Sequence, residues 1–531
     1  MVRWLLIVLL LAPVLAEAQY TMPDSLKGDW MNAGFLRFKS NFPSITKVIN
    51  VLDYGVKNDN TDSANTSALM SAISEIDTNG ITQIYFPAGL YRFSGNINIF
   101  YLNDIVLKGD GAQNTRLLFD LNGISGINNI HINHCERIGV QDLYIERMDS
   151  SEFGNNISIT NSDSCWVSGV ESYMPVSNHI SFSSSNNIDI YGCYFNSSWN
   201  SGPGGNGYGV VIGTNSNNSL IENNIFNHLR HSMITSGNTS GNVFGYNFST
   251  DPYTTEAWFG YNDWPADMCL HGDPGPNNMP PHHTLFEGNI GAFMHADASH
   301  GYNGPYNTFF RNRATYYGLW VREGSDKQIL LANEVDDKDG DSHALFDNMW
   351  DALTVLSFDN IIVGNTNFDP STPSYPTPSE YVTDQTLYLD TNNMPEFLQQ
   401  TEYWPPIGVL DNAHLGGGTI PAKQRWGSQT NLTVSIKDFT QNNHTLYSIL
   451  YQNYPNPFSS KTTISFHLKR SQKIRLSVFD LAGKEVALIA EGEHNAKRHN
   501  FTFTTKEIKP GLYFYCLETK NERHLKKMLL H

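Results

Sequence analysis

His-Leu-Arg-His at positions 228–231 sets two imidazoles around a guanidinium, in a neighbourhood made mostly of Asn, Ser and Gly. Other ionisable side chains crowd into the same region: Asp267 and His271 in ADMCLHGD, His282 and His283, His295, Asp297 and His300 in MHADASHGYNGP, and Arg311 and Arg313 in FFRNR. Imidazole exchanges protons near neutral pH, and guanidinium grips carboxylates through two parallel N–H bonds. The types present therefore suit proton transfer on an anionic ligand. Arg230, His231, His271, Asp297, His300 and Arg313 are the candidate catalytic groups, with Arg311 beside them for substrate binding.

Metal chemistry is less well supported by spacing. A β-strand would place His228 and His231 on opposite faces, which argues against zinc there. The acidic run 336-DDKDGDSH-343 resembles a cation loop but has Val335 where the first ligand of an EF-hand would stand. No residue is assigned to a metal, and calcium remains a candidate cofactor. The five cysteines, Cys135, Cys165, Cys193, Cys269 and Cys516, form neither a disulfide framework nor a close-spaced zinc set.

What positions these groups is a repeat. WVSGVESY, IDIYGCYF, SLIENNIF, NVFGYNFS, TLFEGNIG, NTFFRNRA and QILLANEV recur with Cys165, Ile188, Ser219, Asn242, Thr284, Asn307 and Gln328 in equivalent places. The steps are 23, 31, 23, 42, 23 and 21 residues, so the basic unit is 21 to 23. Such a unit holds two or three strands with Asn, Gly and Ser turns and is too short for a strand-helix-strand crossover. Stacked copies burying a shared interior describe a parallel β-helix. Asn224, Asn289, Asn312 and Asn333, with Cys193 in the same slot, suit a left-handed turn residue whose amide bonds its copies on adjacent coils. In 52-LDYGVKNDNTDSANTSALMSAISE-75, Ala68, Leu69, Ala72 and Ile73 fall at helical spacing and predict a helix capping the stack.

That entry run, followed by IYFPAGLYRF and VLKGDGAQNTRLLF, resembles the start of pectate-lyase-like right-handed β-helix proteins, over roughly residues 45–430. The resemblance implies a scaffold used by polysaccharide lyases, hydrolases, epimerases and tailspikes, and it fixes no catalytic residue. On such a scaffold the long step between Asn242 and Thr284 is an insertion loop, and its Trp258, Tyr261 and Trp264, with Tyr302, are candidate sugar-stacking platforms. Eliminative cleavage of a uronate polymer needs a neutralised carboxylate, a base for the C5 proton and an acid for the leaving oxygen. The Arg and His candidates match these needs. A hydrolase would need two carboxyl groups flanking the bond, for which Asp263, Asp267, Asp273 and Asp297 are available.

The two ends read differently. MVRWLLIVLLLAPVLAEAQ has Arg3, an apolar run from Trp4 to Leu15 and a small-residue cleavage site, the pattern of a secretory signal peptide. From Tyr451 onward there are 14 Lys and Arg against 7 Asp and Glu; the whole chain has 34 against 52, so residues 1–450 hold 20 against 45. A body with net charge −25 lacks the basic face that nucleic acid requires. The basic tail, with its YPNPF entry, SVFDLAGKEV, KPGLYFY and terminal Lys526-Lys527-Met528, is similar to the type IX (Por) secretion C-terminal sorting domain.

The expected architecture is all-β: signal peptide 1–19, right-handed parallel β-helix 20–427 with an N-terminal capping helix, linker 428–448 and a small C-terminal β-sandwich 449–531. The expected function is a secreted lyase cleaving an acidic glycan by β-elimination. A glycoside hydrolase on the same scaffold and a non-catalytic surface adhesin or glycan-binding protein are the alternatives. Its partners would be a polysaccharide and the type IX machinery, with no nucleic acid and no membrane span, and the chain is expected to be a monomer at the cell surface or outside it.

Overall fold

In this computed structural model the described residues are 18–35, 44–59, 64–76, 80–202, 205–253, 257–258, 261–262, 267–273, 279–298, 300–322, 324–335, 361–363, 365–367, 380–399, 401, 404–408, 418–428, 449–450, 453, 458–468, 471–480, 484–495, 497–505, 508–520 and 523–531. The expectations placed on residues 1–17, on Asp263 and Trp264, and on the acidic run 336–343 lie outside the described residues. The chain divides into two compact units, one through Phe439 and one from Thr440.

The first unit is a right-handed parallel β-helix. Most described coils contribute one strand to each of three parallel ladders, here called A, B and C, and Ile290–Asp297 and Arg313–Val321 each run through both B and C. A representative coil runs Trp166–Ser168 in A, Glu171–Tyr173 in B and Asn178–Ser183 in C. Ladder A pairs Trp166, Asp189, Leu220, Val243, Leu285, Thr308 and Ile329 in turn. Each is one residue beyond the equivalent positions read from the repeat, so the sequence period is the physical register. The two longer steps add chain within single coils without breaking the ladder.

Inside, like residues stack on like. Phe244, Phe286 and Phe309 lie ring over ring at 4.9 Å and 4.9 Å, tilted by only 8° and 7°. That spacing is the separation of neighbouring strands, about 4.8 Å. A side chain that fits one coil therefore fits the next, and each buried Val, Ile, Leu or Phe contributes about 1.5–3 kcal/mol. The helix Asn65–Ile73 closes the first coils with Leu69, Ala72 and Ile73 buried in the same core, as its spacing predicts. Ala18–Tyr20 runs parallel to Glu380–Val382, fixing a segment near each end of the unit against the other.

The corner between ladders A and B carries the buried amide stack. Asn224, Asn247, Asn289, Asn312, Asn333 and Asn365 each accept, through Oδ1, the backbone N–H of the residue in the same slot one coil earlier; Asn224 takes that of Cys193 at 2.9 Å. From Asn224 onward the side-chain amides also bond one to the next, at 2.8–3.1 Å. At Asn224, Asn247, Asn289, Asn312 and Asn333 the left-handed residue is the one before, namely Asn223, Tyr246, Gly288, Arg311 and Ala332, rather than the ladder Asn itself. The ladder residue needs its amide aimed along the stack, and its predecessor makes the bend.

All five cysteines are free and buried. Burial pushes the Cys165 and Cys193 thiols up to about 12.

The second unit is antiparallel. A three-stranded sheet of Ile449–Leu450, Lys461–His467 and Arg498–Thr504 accompanies a four-stranded sheet of Glu485–His494, Gln472–Phe479, Gly511–Thr519 and Arg523–Leu530. Ile464, Phe466, Leu476, Val478, Leu517 and Met528 pack between them.

Replacing one rung of the amide stack by Ala strands donors and acceptors on both adjoining coils. Asn289→Ala is expected to lower unfolding stability by about 1–3 kcal/mol for each group left without a partner, read from urea unfolding.

Candidate functional site

Ladder C turns its interior-facing side chains, Met233, Met268, Met294 and Leu319, into the core. Their neighbours in the strands point outward by the alternation of the pleat. One outward layer is buried: Ile234, Cys269, His295 and Trp320 pair in turn, with Phe293 stacked on the His295 ring at 5.1 Å and Tyr208 at the edge. The next is polar. Ser236 pairs with His271 and His271 with Asp297 across three successive coils. Arg322 continues this layer, its Nη1 3.3 Å from Asp297 Oδ1.

The loop that follows Asp297 folds back over this row. His300 lies on it, exposed, with its ring 4.3 Å from that of His271 at 30°. His271, Asp297 and His300 present one nitrogen or oxygen each within 4.8 Å of one another. The loop is held by Asn303, whose amide donates to Asp297 O at 3.0 Å and Ser325 Oγ at 2.8 Å. Beneath it, Gly272 N donates to Asp297 O at 2.7 Å. A Cβ on Gly272 would come within 2.2 Å of Gly301 O, so only glycine permits the approach that brings His300 to His271.

Asp267 sets the strand that carries Asp297. Fully buried, its carboxylate accepts from Ser249 Oγ at 2.5 Å, Ser232 Oγ at 3.2 Å and the amides of Ala292 and Phe293. Those amides lie where the pairing slips, Gly291 facing Ala314 but Phe293 facing Gly318. The carboxylate satisfies the bulge, and burial holds it above the usual range. Asp267 therefore acts by positioning, and as a buried acceptor it is a poor acid for a hydrolase.

Electrostatics at the row are mixed. Burial depresses the His271 imidazole below its ordinary value; Asp297 and Asp273 oppose this, while His300 and Arg230 reinforce it. Arg230 thus acts electrostatically on His271. It is 9% exposed, donates to Gly202 O and Tyr208 Oη at 3.2 Å each, and is not on the open outer face. His231 opens the strand His231–Ser236 and packs its ring 4.9 Å from Tyr208, 8% exposed. His228 is in the preceding turn with φ 57°, stacked on Tyr253 and 2.8 Å from Asp251. Strand alternation across 228–231 does not apply, because the strand begins only at His231.

Of the groups singled out in the sequence, His271, Asp297 and His300 come together, with the half-exposed Tyr302 two residues beyond His300. The backbone of Ala257–Trp258 pairs antiparallel with Tyr261–Asn262 as a small hairpin in the insertion. Arg311 and Arg313 are elsewhere, each 2% exposed. Arg311 binds the carbonyls of Val382, Asp384 and Gly408; Arg313 bonds Glu334 at 2.7 Å and Gly418 O at 2.7 Å. They fasten Val382, Asp384, Gly408 and Gly418 to the coils, and burial brings the Arg311 guanidinium down to about 10 and Glu287 near it up to about 7. Arg322 was missed by sequence reasoning. A 23-residue step from Asp297 ends on Trp320, and Thr315, Tyr316 and Tyr317 opposite Ala292 displace the phase by two residues.

Residues 48–257 match the family described as rhamnogalacturonase A/epimerase, pectate lyase-like, and residues 452–531 match the secretion system C-terminal sorting domain. The chain thus carries a pectate-lyase-like β-helix domain. Its tail is a Por-type sorting domain, which indicates type IX export to the cell surface or the medium. Solved structures are similar to the chain at low identity. ORF18 of Geobacillus virus E2 is 14% identical over 85% of this chain and 77% of its own, TM-score 0.35. An alginate lyase from a Paenibacillus species is 13% identical over 53% and 95%, TM-score 0.32. The A-module of a mannuronan C-5 epimerase from Azotobacter vinelandii is 14% identical over 61% and 100%, TM-score 0.32. No curated protein matches the chain. No helix among the described residues is long and apolar enough to cross a membrane.

Removing Arg313 would take from the buried Glu334 carboxylate the cation that is hydrogen-bonded to it, leaving the charge of Arg311, which makes no hydrogen bond to it, as its neighbour. Arg313→Ala is expected to cost about 3–5 kcal/mol of stability in denaturant titration, whereas a substrate-binding arginine would leave stability almost unchanged.

Proposed function

We propose that the protein cleaves an acidic, uronate-containing polysaccharide by β-elimination on the polar row of ladder C. The observation that carries this reading is the convergence of His271, Asp297, His300 and Arg322 at one end of a parallel ladder, beneath a loop pinned by Asn303. Elimination takes the C5 proton of the uronate; its electron pair forms the C4–C5 double bond as the C4–O bond breaks, and the leaving oxygen is protonated. Each step has a group of the right type here. Arg322, one-third exposed, supplies fixed positive charge for the carboxylate. His300 and Tyr302, both exposed on the same loop, supply the proton-transfer groups. Asp297 holds Arg322 in place, and Arg230 adds positive charge felt at His271.

The reading separates from its alternatives by product. Full-length protein incubated with pectic, alginate and glycosaminoglycan polymers is expected to generate the ultraviolet absorbance of an unsaturated uronate on one of them. New reducing ends without that absorbance would make it a hydrolase, and binding with neither signal would make it a glycan-binding protein. On the substrate that responds, His300→Ala is expected to lower turnover by about 100-fold or more with an unchanged melting temperature. Gly272→Ala, which pushes the Gly301 carbonyl away, is expected to lower it by a comparable factor without touching any reacting group.

A further inference from the structure

We infer that His271, Asp297 and His300 form a binding site for one first-row divalent cation of the zinc class. Two imidazoles and one carboxylate are a donor set that such ions take with positions left open for water or substrate. Their ligand atoms lie within 4.8 Å of one another. An ion bonded at about 2.0–2.2 Å to each would draw these atoms closer together, and His300, exposed on its loop, is the ligand with most room to move. The three come from different levels of the scaffold: His271 and Asp297 end paired strands on adjoining coils, and His300 descends from the loop. Their backbones are tied together, since Gly272 N bonds Asp297 O and Asn303 bonds the same carbonyl. The ligands are thus held by rigid pairing on one side and a pinned loop on the other.

The surroundings fit an ion of this kind. Arg322 approaches Asp297 Oδ1 from the next coil, an outer partner of the sort that orients a ligating carboxylate. Asp273, two residues beyond His271, adds negative charge that offsets Arg230. Calcium and magnesium prefer all-oxygen sets, so the two imidazoles select against them. Ion binding rests on these side chains alone. Its role rests on the eliminative reading above with one change: a His300 that ligates the ion is no longer a proton-transfer group, so that task falls to Tyr302, while the ion takes the polymer's carboxylate together with Arg322.

The test is direct binding to the full-length protein, stripped with a chelator and titrated calorimetrically with zinc chloride. One equivalent is expected to bind, with affinity falling by about 100-fold or more in His300→Ala and in Asp297→Asn. Millimolar calcium is expected not to compete. Zinc is expected to raise the thermal midpoint of the native chain but not of His300→Ala, whose exposed side chain is dispensable for folding. No saturable binding, binding unchanged in both variants, or binding lost only in His282→Ala would overturn the inference; His282 and His283 sit Nδ1 to Nδ1 at 2.9 Å and are the rival imidazole pair. Zinc binding without eliminative activity would leave the site standing and remove the polymer reading. Activity that survives stripping in a chain that takes up no zinc would do the reverse.

Discussion

Everything in the first unit depends on one coil lying in exact register on the next. The buried amide stack from Asn224 to Asn365 enforces this, since each rung accepts the backbone N–H of its copy on the preceding coil and donates its own amide to a ladder A carbonyl of that coil. A slip by one residue would turn every outward side chain inward and expose buried amides together. The polar row of ladder C is a consequence of that alignment, because its members come from four consecutive coils and share no local sequence.

The described residues between 380 and 408 are fastened with the same economy. Outward carboxylates of ladder A, Glu222 and Glu287, accept from the Tyr388 hydroxyl and the Leu387 amide, while Glu334 of ladder B accepts from the Gly408 amide. Arg311 and Arg313 complete the binding from the coil side. These groups have the composition of an active site, with buried acids and bases in contact, yet they serve to hold a covering strand. Buried charge alone does not distinguish attachment from chemistry, whereas an exposed edge, as at His300, does.

Register, strand phase and the capping helix were legible in the sequence because each depends on residues a fixed distance apart. The Asn corner was legible too, except for which residue takes the left-handed bend, since Tyr246, Arg311 and Ala332 carry it without any glycine or asparagine signature. The candidate site was half legible. His271, Asp297 and His300 announced themselves by type. Arg322 did not, since the three residues facing Ala292 change the phase within a single coil, and no period reports a bulge. The arginines of FFRNR misled for the converse reason: their type suits carboxylate binding, but their burial depends on a segment seventy to a hundred residues further on.

The interior thiols acquire a meaning from the route the tail prescribes. A chain exported through the cell envelope passes an oxidising compartment, where exposed cysteines in an odd number invite mispairing. Cys135, Cys165 and Cys193 point into the coil stack, and burial suppresses the thiolate that disulfide exchange requires. Closing each coil on its neighbour therefore also protects the thiols from oxidation, and the window of vulnerability is the time a cysteine-bearing coil waits for the next one to cover it.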